Sequence, residues 1–221
     1  KTAYEIMPSL VGSEMCIRDS SETRQEVADC KEANGLYPVE YLDSLDFIQP
    51  GTIFAHASWV KKNEIRMMAE QNVTVVHCPS SNMKLACGGT LSFPPYRDAG
   101  VDVRIGTDGA ASSGNGLNLL HEARLASLVQ RHDHWDSTLL PAQDIFKIAT
   151  KGSQDWVAWD LDDIRMRPLG RSNNRHLANL IYNGGECLDV WVNGRALRKN
   201  GVTLSLDEKN IIAELDLSLI H

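Results

Sequence analysis

The 221-residue sequence lacks the features that mark several broad protein classes. Its five cysteines form no CxxC pair, which argues against a disulfide framework or a thiolate zinc knuckle and favours a reducing cytoplasm. No apolar run is long enough to span a bilayer, and no charged segment followed by an apolar one marks a secretory signal. The net charge of −7 leaves no basic stripe, so we expect no nucleic-acid or membrane partner.

The two ends of the chain resemble translated sequencing adapters. Residues 1–20 resemble one reading frame of a library adapter followed by a transposase end, and residues 217–221 resemble the reverse complement of that transposase end. Segments that did not evolve with a domain are set aside before its fold is considered. We therefore expect native sequence from about Ser21 to Asp216, with ordinary surface tails as the alternative.

Between these ends, short β-rich runs alternate with helical ones. We predict strands over residues 52–57, 73–77 and 101–107, helices over 22–34, 39–47, 61–71, 117–131 and 141–151, and a loop over 80–95. The helix over 117–131 is amphipathic, with one face formed by Leu117, Leu120, Leu125 and Leu128. This alternation predicts an α/β fold, a partial TIM-like (β/α) barrel over residues 21–154 with its chemistry at the carboxyl ends of the strands.

From residue 155 the pattern changes to strand-like stretches, over 156–161, 187–192 and 202–206. The pair Asn193-Gly194 between two of them is a strong hairpin signal. We therefore predict a second, all-β element over residues 155–216.

A single carboxylate lies where no surface cation can easily neutralise it. Asp108 follows the third predicted strand and is succeeded by small residues up to Ser112. A metal ion would neutralise such an anion. Capping of the next helix is the alternative, but that helix begins several residues later. His56 and His77 end the two preceding strands, where a lone histidine is more often a core residue than a ligand, so only the set indicates a site.

Four segments carry a family resemblance. The sequences FAHA (54–57), VVHCPSSNMKLA (75–86) and GTDGAAS (106–112) resemble successive strand-end motifs of the amidohydrolase superfamily. They are most similar to the methylthioadenosine/S-adenosylhomocysteine deaminase group. The segment ETRQE (22–26) resembles the end of that group's fifth-strand motif, in which a zinc-binding His precedes the catalytic Glu by three residues.

The resemblance implies a zinc-dependent hydrolytic deaminase of a purine-type small molecule. It implies that Glu22 is the proton shuttle, that His56 steadies the attacking hydroxide or the ring nitrogen, and that Asp108 is a zinc ligand that also accepts a proton. All three, together with His77 and Ser112, would contact substrate. His77 would line the substrate pocket and Ser112 would orient a hydrogen bond beside the metal. Relatives commonly associate, so the full-length parent is expected to be a homo-oligomer, and residues 155–216 are expected to belong to a small β-sandwich.

The sequence departs from the family pattern in two places. The HxH pair of the first strand is absent, and Asp19 stands where the family has the His before Glu22. With one of four expected ligands, the chain as written is expected to bind zinc poorly and to be an inactive fragment. Between Gln154 and Asp155 a stretch leading into the sandwich is missing, through natural shortening or loss during sequence assembly, and the match resumes at 190–195.

Two other interpretations remain open. A guanine-type or 8-oxoguanine-type deaminase, or a triazine hydrolase, would share the zinc and the strand-end residues. A metal-free binding or scaffold remnant would instead leave Asp108 and Glu22 as hydrogen-bonded structural residues.

Overall fold

The chain divides into two compact units, Lys1–Ala149 and Thr150–His221. The computed structural model describes residues 17–110, 113–114, 116–152, 154–170 and 174–218. The division falls a few residues before the boundary expected after residue 154. Most of the adapter-like sequence, residues 1–16 and 219–221, lies outside the described residues.

The first unit contains a parallel four-stranded sheet with helices between successive strands. Its strands are ordered as in the chain, β1 (Ile17–Ser20), β2 (Ile53–His56), β3 (Thr74–His77) and β4 (Asp102–Ile105). Its helices are α1 (Arg24–Asn34), α2 (Pro38–Ser44), α3 (Lys62–Glu70), α4 (Pro79–Lys84), α5 (Phe93–Ala99), α6 (Leu119–His134) and α7 (Ala142–Thr150). Each strand lies within or partly within a β-rich segment expected from the sequence, except β1.

The hydrophobic core of this unit lies between the sheet and the helices. Phe54, Val75 and Val103 stand side by side in the register of three neighbouring strands, and each is buried. They belong to one cluster with apolar side chains of α2, α3 and α5, among them Val39, Ile65, Met68 and Tyr96. The strands are thereby held in register, which places their carboxyl ends side by side.

Strand β1 consists of the last residues of the segment predicted to derive from adapter sequence. It pairs in parallel with β2, so that Asp19 stands beside Ala55 and Ser20 beside His56. The residues of this segment therefore form a regular paired strand. The adapter origin of residues 1–20 stays a prediction.

The stretch from residue 80 to 95 was expected to be a loop and instead contains most of α4 and the first three residues of α5, so that prediction is wrong for about half of its length. Both helices have proline in the first turn, where the missing N–H has no intrahelical partner to lose and the fixed φ suits a helix. Helix α5 ends at Gly100, whose φ of 80° is left-handed. Proline therefore starts helices here, although it was taken as a loop signal.

Helix α6 does not bury the predicted leucine face. Leu117 is 77% exposed and Leu128 is 42% exposed. The buried face carries small and polar residues instead, namely Glu122, Ala123, Ala126, Ser127 and Gln130. The Ser127 hydroxyl, for example, donates to the Leu140 carbonyl at 2.7 Å. Hydrogen bonding offsets the cost of burying these polar groups, which hydrophobic periodicity does not detect.

The second unit contains an antiparallel sheet in the order β5 (Trp156–Trp159), β6 (Cys187–Val192), β7 (Arg195–Lys199) and β8 (Val202–Thr203). The hairpin at Asn193-Gly194 is confirmed by the pairing of β6 with β7. The prediction of an all-β element is wrong, because α8 (Arg175–Asn183) and α9 (Glu208–Ser218) also belong to this unit. Helix α8 buries Leu180 and Ile181. No helix in the described ranges is long and apolar enough to cross a membrane.

Candidate active site

Glu22 lies in the short connection between β1 and α1. Thr23 caps α1, its hydroxyl accepting the Glu26 N–H at 3.1 Å. The Glu26 carboxylate in turn accepts the backbone N–H groups of Ser21 and Glu22, each at 2.8 Å. This reciprocal capping satisfies N–H groups that a helix start would leave free. It fixes the backbone that carries the Glu22 side chain.

His56 ends β2 in a conformation that is unusual for a residue with a side chain. Its φ is 68° and that of Ala57 is 44°, so two successive residues lie in the left-handed region. Two contacts hold this turn: the Ala57 N–H donates to the Ser20 carbonyl at 2.9 Å, and the buried Tyr96 hydroxyl donates to the Ala57 carbonyl at 2.5 Å. The imidazole is 3% exposed.

Asn82, on α4, joins His56 to Glu22. Its amide nitrogen is 3.1 Å from His56 Nδ1 and 3.3 Å from Glu22 Oε1, so its two hydrogens serve two acceptors. When Nδ1 accepts, the neutral imidazole carries its proton on Nε2. Glu22 Oε1 also accepts the Cys87 thiol at 3.4 Å. Asn82 is buried and lies in the segment that was predicted to be a loop.

Two carboxylates face the other ring nitrogen of His56. Its Nε2 is 3.8 Å from Asp19 Oδ1 and 3.8 Å from Asp108 Oδ2. The Asp19 side chain is 79% exposed, whereas that of Asp108 is 25% exposed. Asp108 also has a left-handed φ, of 57°. The strand-end positions therefore bring one imidazole between Glu22 on one side and two aspartates on the other.

Asp108 is held in its charged form. Partial burial opposes ionisation, but hydrogen bonding from the Gly109 N–H and Ser113, with the nearby His56, lowers the pKa of Asp108 below its usual value. The Gly109 N–H donates to Asp108 Oδ1 at 2.5 Å. These contacts stabilise an anion at the end of β4, as the sequence led us to expect.

His77 lies at the end of β3 and is 2% exposed. Within the described residues neither of its ring nitrogens has a hydrogen-bond partner. Burial, assisted by the neighbouring His56, lowers the pKa of His77 from 6.5 to about 3. His77 is therefore a neutral base at physiological pH, and its predicted role in lining a substrate pocket stays a prediction. Ser112 lies outside the described residues.

Close contact between the ends of β3 and β4 requires glycine at position 106. The Gly106 N–H donates to the His77 carbonyl at 3.0 Å. A Cβ on Gly106 would lie 2.6 Å from a Val76 methyl and 3.2 Å from the Cys78 sulfur. Burial, together with Asp108 and other nearby carboxylates, raises the pKa of Cys78 to about 12, so this thiol is not a nucleophile at neutral pH.

Comparison with known proteins assigns the family. A model of the amidohydrolase family matches residues 16–161, well over half of the chain. The chain belongs to the amidohydrolase family. The resemblance deduced from the strand-end motifs is therefore confirmed.

Two amidohydrolase relatives show how much of such a protein the chain covers. A 5-methylthioadenosine/S-adenosylhomocysteine deaminase of Pyrococcus furiosus is 36% identical over 207 residues, covering 87% of this chain and 49% of the relative. A 5'-deoxyadenosine deaminase of Methanothermobacter thermautotrophicus is 37% identical over 206 residues, covering 87% of this chain and 48% of the relative. The chain thus spans about half the length of these relatives.

Solved structures confirm the predicted fold, a partial TIM-like barrel followed by part of a β-sandwich. An adenosine deaminase of Xanthomonas campestris with bound zinc is similar at a TM-score of 0.85 and 29% identity, over 96% of this chain and 52% of that one. The atrazine chlorohydrolase TrzN of Arthrobacter aurescens is similar at a TM-score of 0.81 and 22% identity, over 95% of this chain and 50% of that one. At that identity the second likeness shows the fold alone.

The described residues of this amidohydrolase do not complete a zinc site. No group of three or more His, Cys, Asp or Glu side chains within the described ranges is arranged to hold a metal ion. Protein zinc sites use three or four ligands at about 2 Å. Here Asp108 supplies one carboxylate and Asp19 a second that is mostly exposed, while His56 stands 3.8 Å from both. The donor set present therefore does not fit zinc by itself.

The structure brings together the three residues predicted to be catalytic, Glu22, His56 and Asp108. It adds Asn82 between two of them and Asp19 beside the third. Asn82 carried a usable signal, because a buried amide in the segment directly after a strand-end His-Cys-Pro is well placed to orient that strand end. Nothing in the sequence alone showed that the carboxylate of Asp19 approaches His56.

Proposed function

We propose that these residues form part of the active site of a hydrolytic deaminase that releases ammonia from an adenine-type ring. The observation that carries the proposal is the convergence of Glu22, His56 and Asp108 from three strand ends, linked by the amide of Asn82. Polar groups at the carboxyl ends of parallel strands form the active site in barrels of this type.

Each side chain has a chemical role that follows from its contacts. Glu22, partly exposed and accepting from Asn82, is placed to take a proton from an attacking water and deliver it to the ring nitrogen. His56, with Nδ1 occupied by Asn82, directs its Nε2 proton toward the reacting atoms and stabilises negative charge there. Asp108 is the second proton acceptor, kept ionised by its hydrogen bonds.

The proposed substrate class follows from relatives above 30% identity. They are named as deaminases of 5-methylthioadenosine, S-adenosylhomocysteine and 5'-deoxyadenosine, which share an adenine ring and differ at the 5' position. We therefore propose an adenosine derivative altered at that position. The triazine hydrolase alternative has no comparable support, since that likeness extends to the fold alone.

We also propose that the 221-residue chain lacks catalytic activity by itself. Zinc is bound in the structurally similar adenosine deaminase, and the donor set described here does not complete such a site. With S-adenosylhomocysteine, methylthioadenosine or 5'-deoxyadenosine and added zinc, the chain is expected to release no ammonia. Turnover by the unmodified chain would show that it holds a working metal site after all.

A chimera tests the function itself. Residues 20–216 would replace the aligned second half of the Pyrococcus furiosus relative, which then supplies the preceding half and its own residue at the position of Asp19. This chimera is expected to deaminate at least one of the three adenosine derivatives, as measured by ammonia release.

Two further chimeras act as controls. Glu22→Gln removes the proton acceptor and keeps the side-chain shape, so a loss of about 100-fold or more in kcat is expected from the usual contribution of acid–base catalysis. In the second control chimera the replaced segment begins at Asp19 instead of residue 20. This chimera is expected to bind less zinc, because Asp19 then replaces the relative's own residue at that position. A folded, zinc-loaded chimera that is inactive on all three compounds but active on guanine would favour the guanine-type alternative.

A further inference from the structure

A cavity of about 680 Å³ lies outside the candidate active site. It is formed by one side of α1, the start of α2 and the loop between β2 and α3. Its lining does not include Glu22, His56 or Asp108. Small-molecule sites in proteins commonly have volumes of roughly 300–1,000 Å³, so this cavity is large enough for a small organic ligand.

Three cationic side chains line this cavity. The Arg24 guanidinium lies 4.0 Å from the centre of the Trp59 ring, and the ammonium groups of Lys31 and Lys61 lie 4.5 and 5.3 Å from the centre of the Tyr37 ring. Contact with a ring face stabilises a cation electrostatically. It also holds each long side chain against the cavity wall, which lowers the entropy lost when a ligand binds.

The lining of the cavity carries more cationic than acidic side chains, and Glu40 and Glu64 accept the backbone N–H groups of Tyr37 and Lys61 at its edge. Among the described residues none of the three cations forms an ion pair, and Glu32 is the one acidic residue of the lining. The Lys31 ammonium also donates to the Gly35 carbonyl at 2.6 Å, which does not neutralise it. Three positive charges and one negative charge leave a local excess of two in a protein whose net charge is −7.

We propose that this cavity binds a phosphate group, either free or as the monoester of a small organic molecule. A phosphate monoester carries a charge of about −1.5 to −2 at neutral pH, which matches the local excess. The planar guanidinium of Arg24 suits two phosphate oxygens, and the two ammonium groups act as point charges. The apolar part of the lining, with Val27 and Val60, would contact the organic part of an ester.

Titration calorimetry of the 221-residue chain tests the proposal, with ribose 5-phosphate, inorganic phosphate and ribose as ligands. None contains adenine, so the outcome does not depend on the proposed deaminase site. We expect ribose 5-phosphate to bind with a stoichiometry of one and ribose not to bind. Inorganic phosphate binding as tightly as the ester would identify the free anion as the ligand; weaker binding would identify the ester.

Substitutions locate the binding site. Arg24→Gln and Lys61→Gln each remove one charge from the lining and are expected to weaken binding by about tenfold or more, the usual effect of losing one charge-assisted hydrogen bond. Lys62→Gln is the matched control, because Lys62 directly follows Lys61 in the chain, is exposed and does not line the cavity. Its effect is expected to be less than about twofold.

A second measurement detects binding to the unsubstituted chain. The indole N–H of Trp59 donates to the Cys87 carbonyl at 3.1 Å beside the cavity, and its resonance, assigned with Trp59→Phe, is expected to shift on adding ribose 5-phosphate. Absence of both heat and shift would overturn the proposal. Equal weakening by Lys62→Gln, or binding of ribose as tight as that of its phosphate, would do the same.

Discussion

Protonation of His77 is expected to destabilise the folded protein as the pH falls below 6.5. The side chain is 2% exposed and neither ring nitrogen has a partner within the described residues. Burial lowers the pKa of His77 from 6.5 to about 3 in the folded state. The unfolded chain therefore takes up a proton that the folded chain does not, so the stability present above pH 6.5 is lost as the pH falls toward 3.

The size of this effect follows from the two pKa values. The free energy of unfolding is expected to fall by roughly 1 kcal/mol at pH 5.5 and by roughly 3 kcal/mol at pH 4.5, relative to neutral pH, from this residue alone. His77→Leu removes the titrating group and keeps a similar volume. Because it also removes two buried polar atoms that lack partners, this variant is expected to be no less stable than the parent at pH 7.5.

Urea unfolding at pH 7.5, 6.5 and 5.5 measures the difference. The stability of His77→Leu relative to the parent chain is expected to rise by roughly 1 kcal/mol from pH 7.5 to pH 5.5. His132→Gln is the control for replacing a histidine at the surface, since the His132 side chain is 88% exposed. Parallel pH dependences for the parent and His77→Leu would refute the reasoning, because they would show that His77 titrates alike in the folded and unfolded chains.

Three further substitutions, one of them with a control, test buried contacts of the first unit by urea unfolding. Tyr96→Phe removes the hydroxyl that donates to the Ala57 carbonyl in a buried turn and is expected to cost about 1–3 kcal/mol; a smaller loss would mean that water replaces the hydroxyl. Gly106→Ala is expected to cost about 1–3 kcal/mol because the added methyl has no room beside Val76 and Cys78. Gly116→Ala is the control and should cost less than about 0.5 kcal/mol, because no atom lies near that position. Equal costs would contradict the close contact at Gly106. Burial raises the pKa of Glu64 above 4.5, so the contribution of this residue to the free energy of unfolding is present below pH 4.5 and is lost as the pH rises. The stability of Glu64→Gln relative to the parent should therefore increase as the pH rises from 4.5. A constant difference would be inconsistent with the raised pKa.

The order of strands and helices in the first unit could be predicted because local pattern and tertiary packing agree there. Buried strands such as β3 combine a short apolar run with a polar residue at the end, and the helices between them carry ordinary start and stop residues. The candidate residues His56 and Asp108 were found from their positions at strand ends and from the motifs around them, and Glu22 from the family resemblance alone. Parallel strands then place such residues side by side.

Two of the errors share one physical cause, since each concerns a buried polar residue whose partners lie far away in the chain. Helix α6 buries Glu122 because Ser80, far away in the chain, donates to it from its backbone and its hydroxyl. Asn82 was assigned to a loop, and its role at the site was missed because its two acceptors, His56 and Glu22, come from other strand ends. Hydrophobic periodicity describes only neighbours along one element.

The sequence by itself determined the family, the alternation of strands and helices, and the three residues that converge at the strand ends. These follow from local patterns and motifs, which the chain carries whether folded or not. Only the tertiary structure decided that Asn82 orients His56, that Asp19 lies 3.8 Å from the same ring, and that His77 is buried without a partner. Distances, burial and the resulting pKa values depend on contacts between residues far apart in the chain, and those contacts exist only once the strands are in register.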